Sequence, residues 1–403
     1  MKELLKKLFP YSLVFFETRI ANTFTLTDLF LILFIFAAVF QKNDKVVKYK
    51  GRKAWIAVLV LFFLVSLAGV FCIGRKYFVT SNFLNAEFRI VLYCIALFLL
   101  PQTFVTEKDV RNLVKGLSAT LFIFALFGLI DFILLQLNIG FSVSISFSTG
   151  NDDPRLHGLV SEPAHFCIFI GLIAAVLLSY YRKQEANMPF GTKFTIFFSF
   201  FMVMLSISMT GILFAAILFS YVLLSYIDSV SRKKKQLLLL ILPILLVIFV
   251  VIIVILNEDR VNRILDMNDV SSNQRMIGTW TMTLYGLEMY NSFLYGLGTG
   301  QSGNFIEQSG FLMEGFYNEN DINLSNTFSL LLMQNGIIGI TLFLLFIYLF
   351  YHRRSKLLFV ILLAYCFSIC DYGALLWSFF VLSEIVMCRH VSSNTIKVVN
   401  KKM

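Results

Sequence analysis

Long apolar runs constrain this chain more than any other feature of its sequence. Segments of roughly 18 or more mostly apolar residues recur along the whole chain, and a helix of this length crosses the hydrocarbon core of a bilayer. The chain is 58% hydrophobic and 14% charged, whereas a soluble domain is about half apolar and about a quarter charged. The sequence therefore predicts an integral membrane protein.

We place the starts of the predicted membrane spans where apolar runs begin. These starts lie near Leu4, Leu26, Ala54, Glu87, Gly116, Pro163, Phe194, Ile212, Gln236, Asn326, Lys356 and Ala374. We interpret the first segment as a retained span or a tilted, partly inserted helix, because its apolar part is short and lacks a small-residue cleavage site. The predicted fold class is all-α, a polytopic membrane protein with about 12 transmembrane helices in one domain, residues 1–403.

The distribution of basic residues predicts the orientation of these spans. An even number of spans puts both termini on one side, and most of the 34 Lys and Arg residues fall in short segments on that side. The positive-inside rule makes it the cytoplasm. The same rule accounts for the net charge of +10, so we expect no nucleic-acid partner.

Two polar segments are then predicted to lie on the outer face. They are residues 139–162 and residues 257–325. The second is too long for a simple connection, so we expect it to contain short helices and to carry a function.

Several kinds of catalytic site find no support in the sequence. We see no phosphate-binding glycine loop with lysine, no HExxH and no GxSxG. The four histidines and six cysteines show no metal-ligand spacing, so we predict no metal and no cofactor. Chemistry at the outer face would then depend on arginines, carboxylates and helix ends.

The stretch "NDDPRLHGLVSEPAHF", residues 151–166, allows two interpretations. In the first, Arg155 reaches lipid phosphates, Ser161 is the N-cap of a helix whose first turn contains Pro163, and Glu162 favours the positive end of that helix. In the second, Arg155 binds a pyrophosphate with two parallel hydrogen bonds, and Glu162 acts as a general base.

A second group of arginines precedes the last predicted spans. Arg260 and Arg263 alternate with acidic residues and resemble solvated surface charges. Arg275 has no acid near it in sequence and is followed by Trp280, so the pair is a candidate anion or sugar contact. Asn326 is a candidate cap or hydrogen-bonding group where the chain re-enters the membrane.

Glycines and one buried charge add local predictions. The run Gly296, Gly298, Gly300 and Gly303 either forms ordinary turns or lets backbone approach a ligand. Gly336 and Gly339 would permit close helix packing. Arg89 falls within a predicted span, where we expect a structural ion pair with Glu87 or Asp131.

The order of these motifs resembles the O-antigen polymerase and ligase superfamily. The elements are "RLHGLVSEP" at 155–163, "QRMIGTW" at 274–280, "YGLGTG" at 295–300 and "SNTFSLLLMQNGIIG" at 325–339. The resemblance implies a bacterial inner-membrane glycosyltransferase with its active site at the periplasmic face. It also implies a fold like that of multi-span glycosyltransferases that use lipid carriers.

Three site residues follow from the resemblance position by position, since Arg155, Glu162 and Arg275 match catalytic positions. Beside these matches, we predict six substrate-binding residues: His157, Thr210, Trp280, Asn326, Arg260 and Arg263. Ser325 stands where the ligase pattern has a histidine, which favours a polymerase. Met209 stands where the family often has an arginine, in the turn that contains Thr210.

The resemblance implies polymerisation of oligosaccharide repeat units linked to undecaprenyl pyrophosphate, for O-antigen or capsule. The lipid-linked oligosaccharide would be both donor and acceptor, membrane lipids would surround the enzyme, and a chain-length regulator protein is a possible partner. A ligase that transfers polymer to a lipid core is the nearer alternative. A flippase or other transporter of lipid-linked oligosaccharide is the alternative from another class.

Overall fold

The structure is a computed structural model. It describes residues 2–21, 24–40, 52–69, 78–104, 106–137, 156–184, 187–206, 208–229, 278–309, 324, 326–351, 355–369 and 373–387.

The described residues are mostly helical, as the sequence predicts. The helices are α1 Lys2–Ser12, α2 Leu26–Val39, α3 Arg52–Gly69, α4 Thr80–Leu99, α5 Glu107–Gln136, α6 Pro163–Lys183, α7 Phe190–Leu205, α8 Met209–Ser229, α9 Thr279–Met289, α10 Ser302–Ser309, α11 Thr327–Tyr351, α12 Lys356–Ser368 and α13 Ala374–Met387. Single 3-10 turns occupy Leu13–Phe15 and Leu100–Thr103. Two short strands, β1 Arg19–Ala21 and β2 Phe24–Thr25, pair antiparallel.

Four helices in the described ranges are long and apolar enough to cross a membrane. They are α4 with its 3-10 extension, α5, α6 and α11. Shorter apolar helices are α2, α3 from Ala54, α7, α8 up to Ser225, α12 and α13. The predicted span near Gln236 lies outside the described residues, so the total of about 12 stays a prediction.

Hydropathy locates some helix starts better than others. Helices α6, α12 and α13 begin at the predicted residues, whereas α4 and α5 begin earlier, at Thr80 and Glu107. The first turn of α5 is polar and is held by a capping box, in which Thr106 Oγ1 accepts from Asp109 N and Asp109 Oδ2 accepts from Thr106 N, both at 3.1 Å. Hydropathy detects only the apolar part of such a helix.

Helix α1 is shorter than a membrane span. Its 11 residues correspond to about 16 Å at 1.5 Å per residue, against a hydrocarbon core about 30 Å thick. The helix packs beside α5, where a Cβ at Gly116 would lie 2.7 Å from the Pro10 ring. By length, α1 fits the interpretation of a partly inserted helix better than that of a complete span.

Helix α6 lies at the centre of the bundle. It packs against α5, α7, α8, α12 and α13, and 83% of its span is buried, compared with 39% for α4 and α5. Two glycines allow this packing, because a Cβ at Gly128 of α5 would meet the Phe166 ring and a Cβ at Gly171 would meet the Phe214 ring. The other face of many outer helices is apolar and exposed, for example at Phe197 of α7, as lipid contact requires.

Contacts with α6 show which helix ends lie together. We call the end where α6 begins the upper end and the opposite one the lower end. At the lower end, Ser179 near the end of α6 hydrogen-bonds Ser355, the N-cap of α12, at 3.0 Å. At the upper end, Thr327 at the start of α11 donates to the carbonyl of Ile369, just after α12, at 2.6 Å. The end of α5 and the turn between α7 and α8 also contact the start of α6, so they belong to the upper end.

Helix α11 is interrupted at Gly336, where φ is 64° and ψ is −168°. The segment 293–298 satisfies the backbone groups that the interruption exposes. Ile337 N donates to Phe293 O at 2.8 Å and Ile338 N to Leu294 O at 3.2 Å, while Met333 O and Gln334 O accept from Leu297 N at 2.8 Å and Gly298 N at 2.9 Å. Such pairing is what a broken helix within a membrane needs.

The interruption of α11 shows that the packing role predicted for Gly336 is wrong, and the contacts of Gly296 and Gly300 show what these glycines approach. Gly336 does not serve helix–helix packing; a Cβ there would lie 2.4 Å from Leu294 C, in the segment that crosses the break. Gly296, with φ of +76°, sits against the Gln334 backbone, and Gly300, with φ of +75°, against Asn82 O. These two glycines therefore bring backbone close to backbone of the same protein.

The ion pair of Arg89 also differs from the prediction. Its Nη2 lies 3.4 Å from Asp28 Oδ2, and its Nε donates to Tyr93 Oη at 3.1 Å. Tyr93 Oη donates to Asp28 Oδ1 at 2.6 Å. An ion pair is present as expected, but the predicted partners are wrong: Asp131 binds backbone amides elsewhere, and Glu87 faces the hydroxyls of Ser66 and Thr299.

Candidate functional site

The predicted site residues divide into two groups. Arg155, Arg260, Arg263 and Arg275 lie outside the described residues, and their roles stay predictions. The described ones are Glu162, His157, Thr210, Trp280 and Asn326. All five belong to segments at the upper end of the bundle, so the structure brings the described candidates to one end.

Glu162 begins α6. It is the N-cap, with φ of −135° and ψ of 146°, and Pro163 occupies the first helical turn. The prediction that Ser161 is the cap is wrong by one residue, because Ser161 is already committed to another partner. Its backbone N and its Oγ both donate to Glu17 Oε2, at 2.8 and 3.0 Å. Glu162 is half-buried and makes no capping bond with its side chain.

A carboxylate–imidazole pair stands beside Glu162. Glu17 Oε1, from the segment after α1, contacts His165 Nδ1 in the first turn of α6. Burial is the largest influence on the pKa of Glu17 and raises it, but the His165 charge and the Ser161 donors together outweigh burial and leave that pKa below its ordinary value. Glu17 is therefore held as an ionised carboxylate between Ser161 and His165 at the start of α6.

His157 is positioned by the end of α5. Asp131 Oδ2 accepts from the backbone N–H of His157 and of Gly158, both at 2.9 Å. The His157 side chain is buried, with Nδ1 3.9 Å from the same oxygen. Gly158 has φ of +60° and lies against the Phe166 ring, so the chain turns sharply here. The anchor therefore fixes the beginning of the described segment 156–184 on the end of α5.

The turn between α7 and α8 carries Thr210 at the start of α8. The turn is attached to α6, because Ser206 Oγ and Cys167 Sγ are hydrogen-bonded at 3.0 Å. A Cβ at Gly211 would lie 2.6 Å from Cys167 Sγ, so only glycine allows this approach. Thr210 is buried and precedes Gly211, whose neighbour Cys167 lies five residues after Glu162 on α6.

Asn326 and Trp280 lie at the start of α11 and α9. Asn326 Oδ1 accepts from Ser329 N at 2.7 Å, which is the capping role considered for it, and its side chain is buried. Thr279 Oγ1 and Ser329 Oγ are hydrogen-bonded at 2.9 Å, which joins the two helix starts. Trp280 packs partly buried on the main core. A binding role for either residue stays a prediction.

The described part of the site contains acids, hydroxyls and histidines. Within the described ranges, no three His, Cys, Asp or Glu side chains are grouped to hold a metal ion. A groove lined by Trp55, Leu59, Cys94 and Phe98 opens between α3 and α4, toward the lower end and apart from these residues. The upper end can therefore bind polar groups and exchange protons through its own side chains.

The sequence did not lead us to predict Glu17 and His165 as residues of the candidate site at the upper end. The spacing of His165 from Glu162, three residues in a helix, puts the two on one face and was a usable signal. Nothing in the sequence around Glu17 indicates its partner, because the contact joins residues far apart in the chain.

Part of the chain matches a known family. Residues 194–344 match the family model described as O-antigen ligase. No curated protein matches the chain. The match, which includes Thr210, Trp280 and Asn326, supports membership of the O-antigen polymerase and ligase superfamily. Together with the apolar helices, it indicates an integral membrane protein.

Proposed function

We propose that this member of the O-antigen polymerase and ligase superfamily is a polysaccharide polymerase. It joins oligosaccharide repeat units carried on undecaprenyl pyrophosphate, at the periplasmic face of the inner membrane, with both termini in the cytoplasm. The observation that carries the proposal is that the described site candidates, in the loop before α6 and at the starts of α6, α8, α9 and α11, gather at the upper end, which we assign to the periplasm.

The chemistry requires charge stabilisation more than a strong nucleophile. When the glycosyl–pyrophosphate bond breaks, negative charge builds on the leaving pyrophosphate. Arg155 and Arg275 bind that pyrophosphate, because a guanidinium can donate two parallel hydrogen bonds to it. A hydroxyl of a second lipid-linked unit attacks the anomeric carbon, and Glu162 contacts and orients that hydroxyl.

The anchor at Asp131 supports the placement of Arg155. Two backbone bonds of 2.9 Å hold His157 and Gly158 at the end of α5, beside the start of α6 that carries Glu162. We therefore expect Arg155, two residues earlier in sequence, to act near that helix start, since two Cα–Cα steps span at most about 7.6 Å.

Elongation by the purified protein tests the proposal. The full chain in proteoliposomes, supplied with synthetic lipid-linked repeat units, is expected to produce longer oligomers. Arg155→Ala or Arg275→Ala should abolish them, and Arg155→Lys should restore little because the paired hydrogen bonds are lost. Arg182→Ala is the control, since Arg182 lies at the lower end and bonds Ser225 at 2.7 Å. A full ladder of products from folded Arg155→Ala would refute the role of that residue.

A ligase is the second candidate, because the matching family model is described as O-antigen ligase. The same assay separates the two activities. A ligase gives no longer oligomers from repeat units alone and transfers sugar only when a lipid-core acceptor is added. A transporter gives no product with either acceptor.

A further inference from the structure

Two side chains in contact at the start of α6, Glu17 and His165, have no part in the proposed pyrophosphate binding. Glu17 Oε1 contacts His165 Nδ1, and the side chains are 16% and 21% exposed. The pair is thus mostly shielded from water but still reachable from the upper end. It joins the segment after α1 to the first turn of the most central helix.

The contact with Glu17 is the basis on which we assign the proton of the neutral imidazole. A carboxylate accepts hydrogen bonds, so the Nδ1 that contacts Glu17 is the protonated nitrogen, and we assign the tautomer from this contact. In the neutral form of the ring, which is the form that can accept a proton, Nε2 then carries the lone pair; the protonated form is the one whose charge lowers the pKa of Glu17. The other carboxylate oxygen accepts two bonds from Ser161, so the Glu17 carboxylate is held in a fixed orientation and the imidazole with it.

His165 stands next to the proposed acceptor site. It follows Glu162, the N-cap of α6, by three residues, which is about one turn of helix. An N-cap residue and the third residue of its helix are adjacent in the first turn, as the reciprocal contacts of a capping box show. A hydroxyl oriented by Glu162 therefore lies within the reach of an imidazole one turn further along.

We infer that His165 accepts the proton of the attacking sugar hydroxyl, and that Glu17 positions it; this inference rests on the proposed function. The hydroxyl oxygen forms the new glycosidic bond at the anomeric carbon. The bond from that carbon to the pyrophosphate oxygen breaks, and its electron pair leaves with the lipid pyrophosphate. The proton moves to His165 Nε2 and afterwards to water. Glu17 stabilises the imidazolium that forms.

Other titratable groups surround this pair. Glu162 lies one turn earlier on α6, and Asp131 with His157 lies at the adjoining end of α5. The α7–α8 turn, which also packs on the start of α6, contributes the hydroxyl of Ser206. This hydroxyl lies 3.0 Å from the thiol of Cys167, which belongs to α6. Glu17 is in direct contact with the His165 ring.

The test follows the rate of elongation against pH, from about pH 5 to about pH 9, a range that brackets the titration of an imidazole. The full chain in proteoliposomes is used, with synthetic lipid-linked repeat units. In His165→Asn, the amide nitrogen replaces Nδ1 as a donor to Glu17 while Nε2 is lost. We expect the variant to fold with an unchanged KM, to lose about 10²-fold or more in kcat, and to lose the fall in rate on the acidic side.

The Glu17→Gln variant gives an independent measurement. It keeps the size of the side chain but removes the charge that stabilises the imidazolium, so the acidic fall in rate should move to lower pH with a lower kcat. A purely structural contact would reduce thermal stability and leave the pH profile in place. Asp109→Asn is the matched control. Asp109 has a similarly shielded side chain, paired with Lys6 at 3.3 Å, and it caps α5 at the lower end.

The outcomes of these measurements separate the role of His165 from the polymerase function itself. If wild type makes longer oligomers and His165→Asn retains its rate and acidic fall, the inference is overturned and the polymerase function stands. If His165→Asn does not fold, the pH profile of Glu17→Gln decides, and an unshifted profile overturns the inference. If wild type makes no longer oligomers, the proposed function fails and this inference fails with it.

Discussion

The carboxylate of Asp131 accepts the backbone N–H of His157 at 2.9 Å. The bond joins the end of α5 to the loop that leads from Arg155 to Glu162. A charged acceptor in a hydrogen bond of this kind contributes about 1.5–3 kcal/mol, and Gly158 donates a second one to the same oxygen. The relationship therefore holds a proposed substrate-binding loop at a fixed place on the bundle.

Removal of this anchor is expected to impair the site more than the fold. Asp131→Ala should lower stability by about 2–4 kcal/mol, since two backbone donors lose their charged acceptor, and should raise KM for the lipid-linked donor. Thermal unfolding in detergent and elongation kinetics measure the two effects. Thr106→Ala, which removes the cap at the lower end of α5 at a cost of about 1 kcal/mol, should leave KM unchanged. An unchanged KM in folded Asp131→Ala would contradict the role of the anchor.

The interruption of α11 is expected to require glycine at position 336. Gly336→Ala puts a β-carbon where φ is +64° and where Leu294 lies 2.4 Å away. Backbone strain of this kind costs about 1–3 kcal/mol, and the clash with backbone adds to it. Gly303→Ala is the control, because a β-carbon there meets nothing within 4 Å. The amount of folded protein extracted from membranes, followed by thermal unfolding, compares the two; equal stability would show that the segment 293–298 moves away freely.

The pair of Asp28 and Arg89 should behave as a shielded ion pair. Asp28 is fully buried, and its side chain also holds the start of α2 through Thr25 N at 2.9 Å. Arg89→Leu leaves that carboxylate without its cation. Loss of one partner of a buried pair lowers the free energy of unfolding by about 3–5 kcal/mol. Because the Arg89 side chain is 26% exposed, we expect a loss at the low end of this range. Asp28→Asn combined with Arg89→Leu should be less destabilising than the sum of the single changes, measured as a double-mutant cycle. Additive losses would show that the two side chains do not interact.

Acidification is expected to weaken the contact between Glu17 and the start of α6. The pKa of Glu17 lies below its ordinary value of 4.5 in the folded protein, so the ionised carboxylate stabilises the fold at pH values above 4.5. That contribution is lost as the pH falls through the lowered pKa, because the unfolded chain then binds the proton more readily. Wild type should therefore lose more thermal stability than Glu17→Gln between about pH 7 and about pH 3. Equal losses would show that Glu17 is not held as a carboxylate.

Local sequence patterns predict only part of this architecture. Apolar runs locate α6, α12 and α13, because these helices are apolar from their first turn onward, and α6 and α13 are buried among other helices over most of their length. They miss the polar first turn of α5, which depends on the capping box of Thr106 and Asp109 and not on hydropathy. For the described site, the sequence predicts a shared end of the bundle, since that follows from the alternation of spans.

Contacts between distant parts of the chain explain the remaining differences. Arg89 pairs with Asp28, although Glu87 is closer in sequence, because α2 and α4 pack side by side. Gly336 resembles a packing glycine locally, but the segment 293–298 offers hydrogen bonds that make a broken helix possible. The pairing of Glu17 with His165 has the same origin, since it depends on where the segment after α1 meets α6.

The backbone pairing across Gly336 has a mechanical consequence. The piece of α11 from Thr327 to Asn335 is bonded to residues 297–298, and the rest of the helix is bonded to residues 293–294. Rotation of either piece alone would break hydrogen bonds that no water in a bilayer replaces. A displacement of the chain near Leu297 is consequently transmitted to Asn326, ten residues before Gly336, so that this asparagine and the segment 293–298 move together.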